Sequence, residues 1–172
     1  MDAMDKGRNC EIMAEAKTRG CTTTLDVFAS TPDDFPAIRP LLEYADFFMP
    51  SEEEAMALSG LSDLEDNATF LLDQGLSAVV LTLGHNGAMY RDQAGQKIDI
   101  PAYDISVICT CGCGDCFNGG FASGLHLGYS IEDCIRMGQA SSAQNATGLG
   151  SQAGVSTLQG TLNFMENTPL KG

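Results

Sequence analysis

The sequence predicts a doubly wound α/β fold, a mostly parallel sheet with helices on both faces, and three observations lead there. Helical and strand-like patterns alternate from the start of the chain, with helices of about ten residues or more between strands. The run Ala78-Val79-Val80-Leu81-Thr82-Leu83 is almost continuously apolar, as expected of a strand covered on both faces. The 172 residues are 44% hydrophobic and only 19% charged, which suits one packed domain, or one incomplete large domain, and argues against global disorder.

Each element follows from local pattern. Residues 8–19 place Ile12, Met13 and Ala16 at helical spacing and stop at Gly20. Residues 22–27 are rich in β-branched side chains and read as a strand. Residues 33–44 set Phe35, Ile38, Leu41 and Leu42 on one helical face, and residues 46–49 form a short apolar strand ended by Pro50. Two short helices, 52–59 and 63–74, are closed by Gly60 and Gly75. After the strand at 78–83 come strands at 88–91 and 96–100, joined by a turn at Ala94-Gly95. A Gly- and Cys-rich segment, 109–120, leads into a helix ending near Leu127. A helix over 131–147, with Ser130 as its cap, and another over 157–166 complete the chain. No internal repeat or domain linker interrupts this order, so residues 1–172 read as a single partial domain.

Charge and composition remove several function classes. Nine Lys and Arg against 23 Asp and Glu give a net charge of −14, which argues against nucleic acid or an anionic membrane as partner. The opening Met1-Asp2-Ala3-Met4-Asp5-Lys6 lacks the basic and apolar regions of a signal peptide, and no stretch is apolar enough for a membrane span. With seven Cys and no secretion signal, reduced thiols and a cytoplasmic setting are expected.

The informative stretch is Cys109-Thr110-Cys111-Gly112-Cys113-Gly114-Asp115-Cys116-Phe117-Asn118-Gly119-Gly120-Phe121. A Gly-x-Gly turn opening a helix lets backbone N–H groups converge without Cβ obstruction, and the helix dipole makes the position attractive to anions. A carboxylate in that first turn has two readings. Asp115 can take a proton from a hydroxyl that attacks a bound phosphoryl group, or it can simply neutralise the dipole. The four Cys also invite a thiolate-metal reading, but C-x-C-x-C-x₂-C is not the paired C-x₂₋₄-C of structural zinc, and small buried Cys in Ala, Thr or Ser positions are the simpler account. Cys113 and Cys116, beside a helix start, are expected to be the oxidation-sensitive thiols. Of the two histidines, His85 is expected on an exposed loop and His126 on a helix face.

The same stretch resembles the D-T-x-G-x-G-D-x-F-x-x-G-F signature of the ribokinase-like (phosphofructokinase B) carbohydrate kinases. The resemblance runs from about Gly7 to Phe164. Thr82-Leu83-Gly84-His85-Asn86-Gly87 is similar to the family's nucleotide loop T-L-G-x-x-G. Pro50-Ser51-Glu52-Glu53-Glu54-Ala55 is similar to N-x-E-E, with Ser51 in place of Asn, and the region from Ala140 to Val155 resembles the adenine-side helix and loop. Ser51-x-x-Glu54 is equally a helix capping box.

The resemblance implies ATP-dependent phosphorylation of a sugar hydroxyl. It makes Asp115 the base, and the N–H groups of Gly112, Cys113 and Gly114 the hole for developing phosphoryl charge. Thr82, Gly84 and Gly87 would lie by the triphosphate, and Gln139, Ser141 and Gly150 by the adenine or its ribose. Glu54 would organise Mg²⁺ through water. Cys109 stands where the family usually has an Asp tied to a monovalent-cation site, so K⁺ activation is doubtful. The sequence also begins after the family's first strands, its Gly-Gly sugar-contact motif and its β lid. A fragment, a split-gene product or a degenerate half would each look like this. The expectations are a chain inactive alone, pairing with the missing half, a partner chain or a second copy; the alternative is a non-catalytic pseudokinase acting as a binding or assembly subunit.

Overall fold

The computed structural model describes residues 6–28 and 31–172; the acidic opening stretch read above for targeting signals lies almost entirely outside them. The chain divides into two units. One comprises residues up to Leu81 with Tyr90–Lys97, and the other Thr82–Met89 with Ile98–Gly172.

Five strands form one sheet in the order of the chain: β1 (Thr24–Leu25), β2 (Phe47–Phe48), β3 (Ala78–Thr82), β4 (Ala88–Asp92) and β5 (Lys97–Ile100). The first three are parallel, with Thr24 opposite Phe47 and Phe48 opposite Val79. Connections of four or five residues then join β3 to β4 and β4 to β5, too short for a parallel crossover, so the sheet is mixed. The helices α1 (Lys6–Thr18), α2 (Phe35–Leu42), α3 (Glu52–Ser59) and α4 (Leu64–Leu72) alternate with the parallel strands.

β1 is shorter than the six residues its β-branched composition suggests. At Thr23 the ladder gives way to side-chain bonds: Thr23 Oγ1 donates to the Tyr44 carbonyl at 2.6 Å, and Thr23 N–H to Asp46 Oδ2 at 2.9 Å. The predicted helix over 33–44 is likewise divided, a 3-10 turn at Pro32–Asp34 preceding α2. The core of this unit is Phe48, Leu41, Leu42, Leu71, Val79, Val80 and Leu81, each 1% exposed or less. Removing a large side chain from such a site costs about 2–5 kcal/mol. Arg91 is buried too, and its guanidinium donates to Glu65 Oε1 at 3.0 Å and to the Tyr90 carbonyl at 2.7 Å, which compensates its desolvation. Lys97 reaches the other oxygen of Glu65 at 3.0 Å. Between them the two cations pull the Glu65 carboxyl down to about 2.

The second unit is built from α5 (Cys113–His126), α6 (Ile131–Ala146) and α7 (Leu158–Asn167). α5 and α6 pack at backbone distance: a Cβ on Gly120 would lie 2.7 Å from the Met137 carbonyl, and one on Gly138 would lie 2.9 Å from that of Phe117. Phe117, Phe121 and Ile135 fill the space around this crossing. Tyr103 sits against Ala140, Ala143 and Phe164, the two rings meeting edge-on at 5.2 Å, and so ties the strand-like 103 segment to α6 and α7. No helix among the described residues is long and apolar enough to cross a membrane.

Candidate active site

The start of α5 is shaped by Gly112, which holds the left-handed conformation at φ +72°. A Cβ there would also come within 2.6 Å of the Ser151 carbonyl oxygen, so both the turn and the neighbouring loop require glycine. No side chain caps this helix. Cys113 N–H already donates to the Thr110 carbonyl at 3.2 Å, and Cys116 N–H to that of Gly112 at 3.0 Å. The first-turn N–H groups of Gly114 and Asp115 have no backbone acceptor among the described residues. Thus of the three donors expected from sequence, Gly112 and Gly114 have no backbone acceptor among the described residues, Cys113 is engaged within the turn, and Asp115 contributes one that sequence reasoning did not include.

The turn is anchored from α6. Asn145, fully buried, donates from Nδ2 to the Cys111 carbonyl at 2.7 Å and toward Cys113 Sγ at 3.7 Å. The Cys113 thiol in turn donates to the Ser142 carbonyl at 3.5 Å, and Cys109 N–H to that of Ala146 at 3.2 Å. Asn145 was missed from sequence; its signal is an amide on a helix face otherwise occupied by Ala143 and Ala146.

Asp115 is exposed and faces a cavity of about 930 Å³. Gly119, Ser141, Gln144, Ser151 and Thr161 also line it, so Asp115 and Ser141, paired only by expectation, share one cavity. His126, on the last turn of α5, opens onto the same space. Thr82, Gly84 and Gly87 are not part of its lining. They form a separate tight loop, in which Leu83 N–H donates to the Gly87 carbonyl at 2.8 Å and Gly87 N–H returns to Gly84 at 3.2 Å. Gly87, at φ +108°, has the Ile100 carbonyl so close that no side chain fits. His85 is exposed, and its carbonyl accepts from Lys171 Nζ at 3.3 Å.

Two expected site residues are engaged elsewhere in their own units. Gln139 is buried and donates from Nε2 to the Ile100 carbonyl at 3.0 Å, while its Oε1 has no partner among the described residues. Glu54 closes a capping box on α3: its Oε2 accepts from both Ser51 N–H and Ser51 Oγ at 2.8 Å, and Glu54 N–H donates to Ser51 Oγ at 3.3 Å. Gly150 lies beside the α5 turn, where its backbone helps lower the Cys109 thiol.

Cys116 does not behave as its helix position suggests. The backbone N–H groups of Cys111 and Gly150, together with the Cys111 thiol, lower the Cys109 pKa. That partnership raises Cys111, while burial raises Cys116. No group of three or more Cys, His, Asp or Glu among the described residues is arranged to hold a metal ion.

Comparison with known proteins agrees with the fold and with the family resemblance. Residues 1–158 match the model of the pfkB family carbohydrate kinases. Ribokinase from Haemophilus influenzae is 34% identical over 132 residues, an overlap covering 74% of this chain and 43% of that protein. Among solved structures, Arabidopsis thaliana ribokinase complexed with ribose and ATP superposes with a TM-score of 0.82 at 25% identity, covering 94% of this chain and 53% of that one. An E. coli protein described as a ribokinase II, solved with ATP and Mg²⁺, gives 0.79 at 26% identity, covering 90% and 51%. The chain spans about half the length of the curated relatives it matches. With nearly its whole length matched, the chain belongs to the pfkB family of carbohydrate kinases.

Proposed function

We propose that this chain carries the nucleotide and catalytic half of an ATP-dependent kinase acting on a sugar or sugar-like alcohol. The observation that supports this best is the uncapped, glycine-opened start of α5, with unengaged donors beside an exposed Asp115 on an open cavity. In this reading Asp115 accepts the proton of the attacking hydroxyl, a role typically worth 10²–10⁴ in rate. The N–H groups of Gly112, Gly114 and Asp115 stabilise charge on the transferring phosphoryl group, with Cys113 shaping the turn that aims them. No G-x-x-x-x-G-K-[ST] lysine occurs in the sequence, so backbone donors carry that task.

Thr82, Gly84 and Gly87 would hold the triphosphate, since the open space around Gly84, with no side chain of its own, lets phosphate approach the backbone. Ser141 and Gly150 would flank the nucleoside, and the unpartnered Oε1 of Gln139 would face it. For Mg²⁺, which neutralises phosphate charge when bound, Glu54 offers a suitable hard carboxylate oxygen, held in place by Ser51. Relatives solved with ATP, Mg²⁺ and ribose support ATP, Mg²⁺ and a sugar as ligands here. Turnover is proposed for these residues together with the remaining half of the family fold, supplied in the same or another polypeptide.

Mg-ATP titration with thermal unfolding tests the nucleotide half directly. At a hundredfold excess over Kd, stabilisation of about 2.7 kcal/mol is expected, and an unchanged Tm at millimolar Mg-ATP overturns the reading.

A further inference from the structure

Asn145 is a polar side chain on a face of α6 where an apolar one would pack. It is 0% exposed, lies between Ala143 and Ala146 on the buried side of the helix, and its Oδ1 has no partner among the described residues. A buried acceptor left unbonded is a net cost, so the value of this amide lies at its other end. There Nδ2 donates to the Cys111 carbonyl at 2.7 Å and toward Cys113 Sγ at 3.7 Å. Neighbouring residues of α6 hold the chain on either side of that point. The Ala146 carbonyl accepts from Ile108 N–H at 2.7 Å and from Cys109 N–H at 3.2 Å, and the Ser142 carbonyl accepts from the Cys113 thiol at 3.5 Å. Of these contacts, only the Asn145 bond falls on the peptide that joins Cys111 to Gly112.

We propose that Asn145 is a positioning residue for phosphate binding, its amide aiming the Gly112 N–H at the phosphoryl group to be transferred. A trans peptide unit is planar, so its carbonyl and its N–H point in opposite directions. Holding the Cys111 carbonyl on Nδ2 therefore fixes the Gly112 N–H on the side of that peptide away from Asn145. The N–H so directed has no backbone acceptor among the described residues. Gly112 needs an outside hold more than other residues do. It has no Cβ to limit rotation and sits at φ +72°, so nothing in its own covalent structure selects one orientation of the peptide before it. Without the amide, the donor direction spreads over many orientations. A fixed donor stabilises developing charge better than a mobile one, because no reorientation accompanies the reaction. Asn145 does not line the cavity at Asp115, so it acts through the backbone and touches no reacting atom. This role rests on the nucleotide reading above and deepens it; the hydrogen bonds that hold the peptide stand without it.

The test compares the parent chain with Asn145→Leu, which keeps the branch at Cγ and loses the donor. Asn145→Asp, which keeps the shape and puts an acceptor where the donor was, serves if the leucine variant folds poorly. Calorimetry reads Mg-ATP and Mg-ADP, which differ by the γ-phosphoryl group. Either variant should raise the Kd of Mg-ATP about tenfold or more and leave that of Mg-ADP within about twofold. Ile135→Val, a truncation of a buried side chain in the same helix, should lower Tm and leave the ratio of the two constants as in the parent, so lost stability alone does not imitate the effect. Equal weakening of both nucleotides by the Asn145 variants, or no weakening of either, overturns the proposal while the nucleotide reading stands. If the parent itself binds neither nucleotide, the nucleotide reading falls and phosphate binding falls with it. The Gly112 amide resonance then decides what is left: displacement in Asn145→Leu retains the aiming of that N–H, and an unmoved resonance overturns it.

Discussion

The starts of α3 and α5 look alike in sequence, each a small residue followed by acids or glycines, yet their hydrogen bonding is opposite. At α3, Ser51 and Glu54 cap each other's backbone, so the helix end is closed by its own side chains. At α5, Gly112 has no side chain to offer and the donors of Gly114 and Asp115 are left unengaged. α4, α6 and α7 follow the α3 pattern, with Asp63, Ser130 and Thr157 as caps. A capped start stabilises its own helix; an uncapped one keeps hydrogen-bonding capacity for something outside it.

Substitutions can break this contrast, beginning with the largest effect. Asp115→Asn, assayed with the sugar half supplied, should lower kcat by about 10²–10⁴ while Mg-ATP affinity stays within about threefold. Undiminished kcat would leave Asp115 with only the dipole role. Gly112→Ala forces an L side chain into the left-handed region and against the Ser151 carbonyl, so about 2 kcal/mol or more of stability should be lost. The same variant should weaken Mg-ATP binding at least about tenfold by calorimetry. Ser51→Ala removes one cap and should lower the free energy of unfolding in urea by about 1 kcal/mol. A change as large as that of Gly112→Ala would erase the distinction between the two helix starts.

The smallest effect is a control away from both. Arg91 and Lys97 hold Glu65 at about 2, below its ordinary 4.5. Its contribution is therefore fully present above pH 4.5 and fades as pH falls toward 2. Glu65→Gln should flatten the urea midpoint across that window and leave it unchanged in shape above pH 5. Because the carboxylate is half-exposed, the difference should be small.

Much of this was legible in the sequence because it depended on local pattern. The bounds of α3 were read at 52–59 since the capping box and Gly60 both announce them, and Ser130 was read as the α6 cap for the same reason. β3 announced itself by an apolar run with no room for another face. The failures share a different cause. β1 shrank because Thr23 and Asp46, more than twenty residues apart, bond through their side chains. Cys109 has a lowered thiol pKa because the Cys111 backbone beside it and Gly150, from a distant loop, both favour its thiolate, whereas burial raises Cys116. Asn145 lay unnoticed because its partner, the Cys111 carbonyl, is 34 residues upstream. Pairings across the chain leave no periodicity to read.

The grip of Asn145 on Cys111 makes the turn that opens α5 an appendage of a helix that follows it in sequence. Adding one residue to α6 between Ile135 and Asn145 would rotate that amide by about 100° around the helix axis and release the turn, though neither Gly112 nor Asp115 had been altered. The conformation of residues 112–115 is therefore indexed to the winding of a helix far along the chain, and α6 is less tolerant of length change than its separation from them in sequence suggests.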